Sequence, residues 1–120
     1  MKHLIYAILL FIPFLSFSSC EDILKEADFT VTTEKTSYKA EEEITFSFLN
    51  APEWVTFYSG EENKEYPESY GVSIKSITNE LSEYTYTYNS PGTYKVVFVG
   101  GNTNYKGSKE MSVTMTLTVN

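Results

Sequence analysis

The groups in this chain able to do covalent or acid–base chemistry are few: one thiol, one imidazole and sixteen carboxylates. The thiol is Cys20 and the imidazole is His3. Beyond Cys20 there is neither. A Ser-His-Asp triad, a Cys-His pair and a His-containing zinc site are therefore excluded from the rest of the chain. No Gly-rich phosphate loop occurs. Two carboxylates would suffice for glycoside hydrolysis, but no acid closes an apolar run, where burial would raise its pKa, so a non-enzyme is expected. Glu61, Glu62, Glu65 and Glu68 crowd one polar stretch. Their oxygens suit calcium, yet the Asp-x-Asp-x-Asp-Gly spacing is missing. No cofactor is expected, with calcium as the open alternative. Glu41-Glu42-Glu43 reads as a solvated edge that discourages sheet-to-sheet pairing.

Aromatic side chains are the better lead to binding. If Val55 and Phe57 face a core, then Trp54, Thr56 and Tyr58 face outward, with Trp54 and Tyr58 about 13 Å apart along a strand. Flat exposed rings suit the apolar faces of sugars, and equally a protein interface. Tyr105, in the stretch before the last strand, is a third candidate. The competing reading makes Trp54 the core tryptophan of a sandwich. The Tyr84/Tyr86/Tyr88 stripe is read as core.

These groups sit behind a leader. Lys2 and His3 give a short positive start, Leu4 to Phe14 an apolar run, and Ser16, Ser18 and Ser19 the small residues a signal peptidase needs. The run is too short to span a bilayer, which takes about 20 residues. Residues 1–19 are thus expected to be a cleaved signal peptide. The segment Leu15-Ser-Phe-Ser-Ser-Cys20 resembles the bacterial lipobox, with Phe17 in place of the usual Leu. That resemblance implies diacylglycerol on the Cys20 sulfur and, after cleavage, acylation of the new amine, giving two or three chains and a firm membrane anchor. The acidic pair Glu21-Asp22 resembles the signal that sends lipoproteins of Bacteroidota to the outer face of the outer membrane, though a solvated linker reads the same. Residues 20–28 are expected to be a lipidated Cys and an acidic tether.

Residues 29–120 show strand and turn signals and no convincing helical period. Ile44, Phe46 and Phe48 alternate with Thr45 and Ser47; Tyr94, Val96 and Phe98 with Lys95 and Val97; Met111 to Val119 with Ser and Thr. Period 2 in β-branched and aromatic residues marks half-buried strands. Seven are expected, at about 29–33, 43–49, 54–58, 71–77, 82–88, 93–99 and 110–119. Ser90-Pro91-Gly92 supplies a tight reversal, and Gly100-Gly101-Asn102-Thr103-Asn104 opens a loop. The fold class is all-β, an antiparallel sandwich. Aromatic content of 16% supports a packed core, and without a cysteine pair the core must hold by packing alone.

Charge narrows the partners. Sixteen acids against nine lysines and no arginine give −7. Such a surface repels phosphate backbones, so nucleic acid is not an expected partner.

Tyr84-Thr-Tyr-Thr-Tyr-Asn-Ser-Pro-Gly-Thr-Tyr-Lys-Val-Val-Phe-Val99 resembles the C-terminal half of a PKD domain, an immunoglobulin-like sandwich, through Tyr88, Pro91, Gly92, Tyr94 and Val96. Met111 to Val119 fits its closing strand. The hallmark Trp-Asp-Phe-Gly-Asp-Gly is replaced by Phe57-Tyr58-Ser59-Gly60-Glu61. The chain is similar to PKD-like domains of uncharacterised Bacteroidota surface lipoproteins, which often belong to glycan-uptake systems. The resemblance implies a non-catalytic surface module for binding or adhesion, its partner a polysaccharide or an outer-membrane protein. A structural accessory subunit or a spacer are the alternatives.

Overall fold

The computed structural model describes residues 26–76 and 79–120. Within them eight strands form two sheets: β1 Thr30–Thr32, β2 Ser37–Tyr38, β3 Glu43–Leu49, β4 Trp54–Tyr58, β5 Val72–Lys75, β6 Glu83–Thr87, β7 Gly92–Asn104 and β8 Gly107–Val119. One sheet has the order β1-β3-β6, the other β2-β8-β7-β4-β5. The expected all-β sandwich is what forms, with β3 and β4 at the expected bounds.

Alternation decides which side chains meet. In the three-stranded sheet, Ile44 lies opposite Tyr86, Phe46 opposite Tyr84, and Val31 opposite Phe48. In the five-stranded sheet, Phe57 lies opposite Phe98, and Phe98 opposite Val113. The two inner faces close on one core of Phe29, Val31, Tyr38, Ile44, Phe46, Phe48, Val55, Phe57, Tyr88, Val96, Phe98, Leu117 and Val119. The rings of Phe46, Phe48 and Phe57 contact Phe98 at centroid separations of 5.1, 5.0 and 5.2 Å. Such pairs add about 0.5–1.5 kcal/mol each beyond their buried area.

Three expectations are corrected. The segment 100–104 is not a loop: β7 runs on to Asn104, pairs residue for residue with β8 down to Gly107, and turns through Tyr105 and Lys106 alone. Gly100 and Gly101 serve as space rather than as turn. A Cβ on Gly100 would come 2.8 Å from the Phe29 ring and 2.7 Å from Pro52 on the inner face. On Gly101 it would come 2.4 Å from the Trp54 indole on the outer face. Second, β2 is an eighth strand. After β1 the chain crosses between sheets, lays two residues parallel to β8 and sends Tyr38 into the core. Third, because of that crossing the sandwich is not wholly antiparallel.

Phe29 ties the N-terminal segment into the core at 1% exposure. Phe29→Ala empties a ring-sized space that Gly100 cannot fill, and is expected to cost roughly 3–5 kcal/mol in urea unfolding. Gly100→Ala drives a methyl into the same ring and is expected to cost about 1–3 kcal/mol.

Candidate functional site

Strands β5 and β6 are both sheet edges on the same side of the sandwich. Because β5 is only four residues long, the sandwich is open there. Tyr84 and Tyr86 of β6 face inward but stay half-exposed, packed on Phe57 at 5.0 and 4.9 Å. The tyrosine stripe is therefore core only in part: Tyr88, at 1% exposure, is the fully buried member.

The chain between β4 and β5, residues 59–71, lies over this opening. Its path is pinned at both ends by glycine. Gly60 has φ +84°, and a Cβ there would meet the Lys95 carbonyl oxygen at 2.5 Å. A Cβ on Gly71 would meet the Thr56 methyl at 2.4 Å and the Tyr58 ring at 2.8 Å. Gly60 N–H donates to the Lys64 carbonyl (3.0 Å), Lys64 N–H to the Glu61 carbonyl (2.8 Å), and Ser69 N–H to the Glu65 carbonyl (2.8 Å). Asn63 takes the left-handed conformation at φ 67°, and the Tyr66–Pro67 bond is cis.

A polar network fastens this loop to β6. The Tyr88 hydroxyl donates to the Ser59 carbonyl at 2.6 Å. The Ser59 hydroxyl donates to Glu61 Oε1 at 2.8 Å, and the Tyr86 hydroxyl donates to the same oxygen. Burial first, and the Glu61 hydrogen bond second, push the Tyr86 phenol up to about 12. Burial also pushes Tyr88 and Tyr84 up. All three are neutral at any physiological pH, so the network works as fixed donors rather than as acid or base.

The loop, β5 and β6 enclose a groove of about 220 Å³. Phe57 and Tyr86 are its deep residues, Tyr70 and Val72 its exposed apolar ones, and Ser59, Asn63 and Lys64 bring the polar groups. Tyr70 is 96% exposed and Val72 53%. A wider hollow beside Lys35, Tyr38, Glu42 and Asn120 is a poorer candidate. Its one ring, Tyr38, is buried and lies beneath Lys35 Nζ at 4.7 Å, while Lys35 pairs with Glu42 at 2.9 Å.

The residues singled out from sequence are spread along the molecule. Trp54 is half-buried on the outer face of the five-stranded sheet, seated on Gly101, with its indole N–H donating to Thr103 Oγ1 at 3.1 Å. It is neither a core tryptophan nor a free platform. Tyr58, at the other end of β4, lies on Gly71 and meets the Tyr66 ring edge-on at 4.9 Å. Tyr105, 79% exposed, occupies the two-residue turn between β7 and β8, with Lys106 Nζ 5.8 Å from its ring centroid. Only Tyr58 adjoins the groove-forming loop. Tyr70, Tyr86 and Asn63 were missed: Tyr86 was read as core, while one signal for Tyr70 and Asn63 was present, the rings and glycines interspersed among the glutamates of 60–71. Of those glutamates Glu61 serves the network; Glu62, Glu65 and Glu68 are exposed. No group of three or more metal-ligating side chains occurs among the described residues. The signal peptide 1–19, Cys20, Glu21 and Asp22 lie outside the described residues.

Fold and groove together define an all-β sandwich with an aromatic-lined cleft at its open edge. Residues 18–118 match the family described as a domain of unknown function, DUF5017, and the chain belongs to that family. No curated protein and no solved structure matches it.

Tyr86 yields a pH prediction. Its folded pKa lies above the unfolded value near 10, so the folded state holds the proton longer. The resulting stability is complete below pH 10 and is lost as pH rises toward about 12. The urea midpoint is expected to fall across that window, and Tyr86→Phe to flatten the fall, as chemical unfolding at stepped pH would show.

Proposed function

We propose that this chain is a lipid-anchored, non-catalytic surface module that binds a glycan in the groove between residues 59–71 and strands β5 and β6. The observation that carries the reading is the make-up of that groove. An exposed tyrosine, Tyr70, stands beside a deep ring, Tyr86, with the amide of Asn63 and the ammonium of Lys64 at hand. A sugar ring presents an apolar face to an aromatic one and hydroxyls to an amide or ammonium. The volume is below the roughly 300–1,000 Å³ of drug-sized pockets, which suits one sugar unit of a longer chain. The loop that borders it also carries the exposed Glu62, Glu65 and Glu68, so a neutral glycan is favoured over an acidic one.

The anchor part of the proposal rests on the lipobox-like segment ending at Cys20 and on Glu21-Asp22 behind it, and puts the protein at the outer membrane facing outward. The PKD-like character rests on the Tyr84–Val99 segment. Neither a bound cofactor nor a nucleic-acid partner belongs to this reading, since the acidic surface opposes phosphate. A second reading, an accessory subunit of an outer-membrane complex, is favoured by Val72, an exposed apolar residue on the short edge strand β5.

Mature protein carrying Cys20→Ser, screened against a polysaccharide panel, is expected to bind at least one neutral glycan. Tyr70→Ala is expected to weaken it about tenfold, the loss of one ring contact, and Asn63→Ala by less. Trp54→Ala should leave binding unchanged; loss through Trp54 with Tyr70→Ala silent would move the site to the outer face. Absence of any glycan binding, with a membrane protein recovered by pull-down, would favour the subunit reading. In the wild type, lipid label is expected on the protein, and Cys20→Ser is expected to abolish it and release the protein from membranes.

A further inference from the structure

The N-terminal segment enters the sandwich at one defined end. The Glu26 carbonyl accepts a hydrogen bond from Asn102 Nδ2 at 3.1 Å. The Glu26 carboxylate pairs with Lys109 at 2.5 Å. Asn102 and Lys109 face each other near the tip of the β7–β8 hairpin. Ala27 and Phe29 are buried just behind, so the entry point is set by packing as well as by polar contacts. Two further rungs, Thr103 with Ser108 and Asn104 with Gly107, lead to the Tyr105-Lys106 turn, about 7 Å beyond Asn102. The groove is set back from this end: its Phe57 and Val72 lie at the Phe98 rung, midway along β7. Gly60, which opens its loop, abuts Lys95, and Lys95 lies six residues back along β7 from Gly101, about 20 Å.

From this polarity we infer that the β7–β8 hairpin tip is a membrane-facing element, with Tyr105 and Lys106 resting in the lipid headgroup layer and the groove turned away from it. The inference rests on the lipid-anchor reading above. Cys20 stands six residues before Glu26, a reach of at most about 21 Å, so a lipid on Cys20 holds this end of the domain within a tether's length of the bilayer. The tip then has the composition that the headgroup layer accepts. A tyrosine ring suits the boundary between acyl chains and water, and the lysine beside it brings positive charge to the level of the phosphates.

Two of the acids near the tip are already engaged within the domain. Glu26 is neutralised by Lys109, and Glu53 Oε1 accepts the Thr103 N–H at 2.6 Å. The tip adds one ring to an anchor of acyl chains, so it orients the domain rather than holding it on the membrane. The unlipidated protein is accordingly expected not to bind vesicles. Function follows from the orientation: a rigid two-stranded arm standing on the lipid keeps the groove on the side open to a large polymer.

The test uses the full lipidated protein with its single tryptophan moved. On a Trp54→Phe background, which leaves a ring on Gly101, Tyr105→Trp reports the tip and Tyr70→Trp the groove. Each protein is reconstituted in phosphatidylethanolamine–phosphatidylglycerol vesicles, with and without lipid brominated near the headgroup end of its chains. The tip tryptophan is expected to shift its emission to the blue and to lose intensity to the brominated lipid, and the groove tryptophan to do neither. Equal quenching at the two sites, or none at the tip, with the protein still floating with the vesicles, would overturn the orientation and leave the anchor standing. Protein that does not float, and takes no lipid label at Cys20, would overturn the anchor and the orientation with it.

Discussion

Phe57 is the contact on which both the fold and the groove depend. Its ring reaches across the sandwich, meeting Phe46 at 5.9 Å, Tyr84 at 5.0 Å and Tyr86 at 4.9 Å from the opposite sheet, and Phe98 at 5.2 Å from its own. With a single cysteine in the sequence, no disulfide can join the two sheets, and their attachment is a matter of such ring contacts and the area they bury. The same ring lies at the depth of the open edge, so the residue that joins the sheets also shapes the groove. A core and a groove built on one side chain are mechanically coupled: a shift of β6 relative to β4 alters the groove at once. The network through Tyr88, Ser59, Glu61 and Tyr86 resists that shift by joining β6 to the start of the loop.

Legibility from sequence followed the range of the interaction responsible. Strands β3 and β4 alternate cleanly, and their bounds could be read directly, because one face of each lies on the core and burial imposes period 2. The inward assignment of Val55 and Phe57 held for the same reason. Strand β2 was not legible: two residues carry no period, and their pairing with β8 joins positions some eighty residues apart. Gly100-Gly101 misled because glycine marks a turn more often than it marks a close approach. Here each glycine yields its Cβ space to a ring, Phe29 on one face and Trp54 on the other. A paired glycine that lets rings close on both sides of a strand looks, in one dimension, like a loop.

The site was less legible than the fold. An outward platform of Trp54 and Tyr58 follows from strand alternation alone, and alternation does place both on the outer face. It says nothing about what covers that face. Residues 59–71 fold back on Tyr58 through Tyr66 and Gly71, and the long hairpin brings Thr103 to the indole of Trp54. Both coverings are non-local and come from segments with no period of their own. The groove residues Asn63 and Tyr70 lie in that aperiodic stretch, where glutamates dominate the composition and hide the rings among them.

The hairpin and the groove are built by different means. At the hairpin end, two glycines, a buried Phe29 and the Glu26–Lys109 pair hold the incoming chain to a straight, fully paired β-ribbon. That arrangement is stiff, since each residue from Gly92 to Asn104 has a cross-strand partner. At the groove the chain leaves the ladder for thirteen residues, between β4 and β5, and is fastened instead by glycines and a few side-chain hydrogen bonds. Loops of this kind carry recognition because their side chains are not committed to a core. The hairpin is thus the stiff part of the sandwich, and the groove is the part whose polar and aromatic groups are left uncommitted to a core.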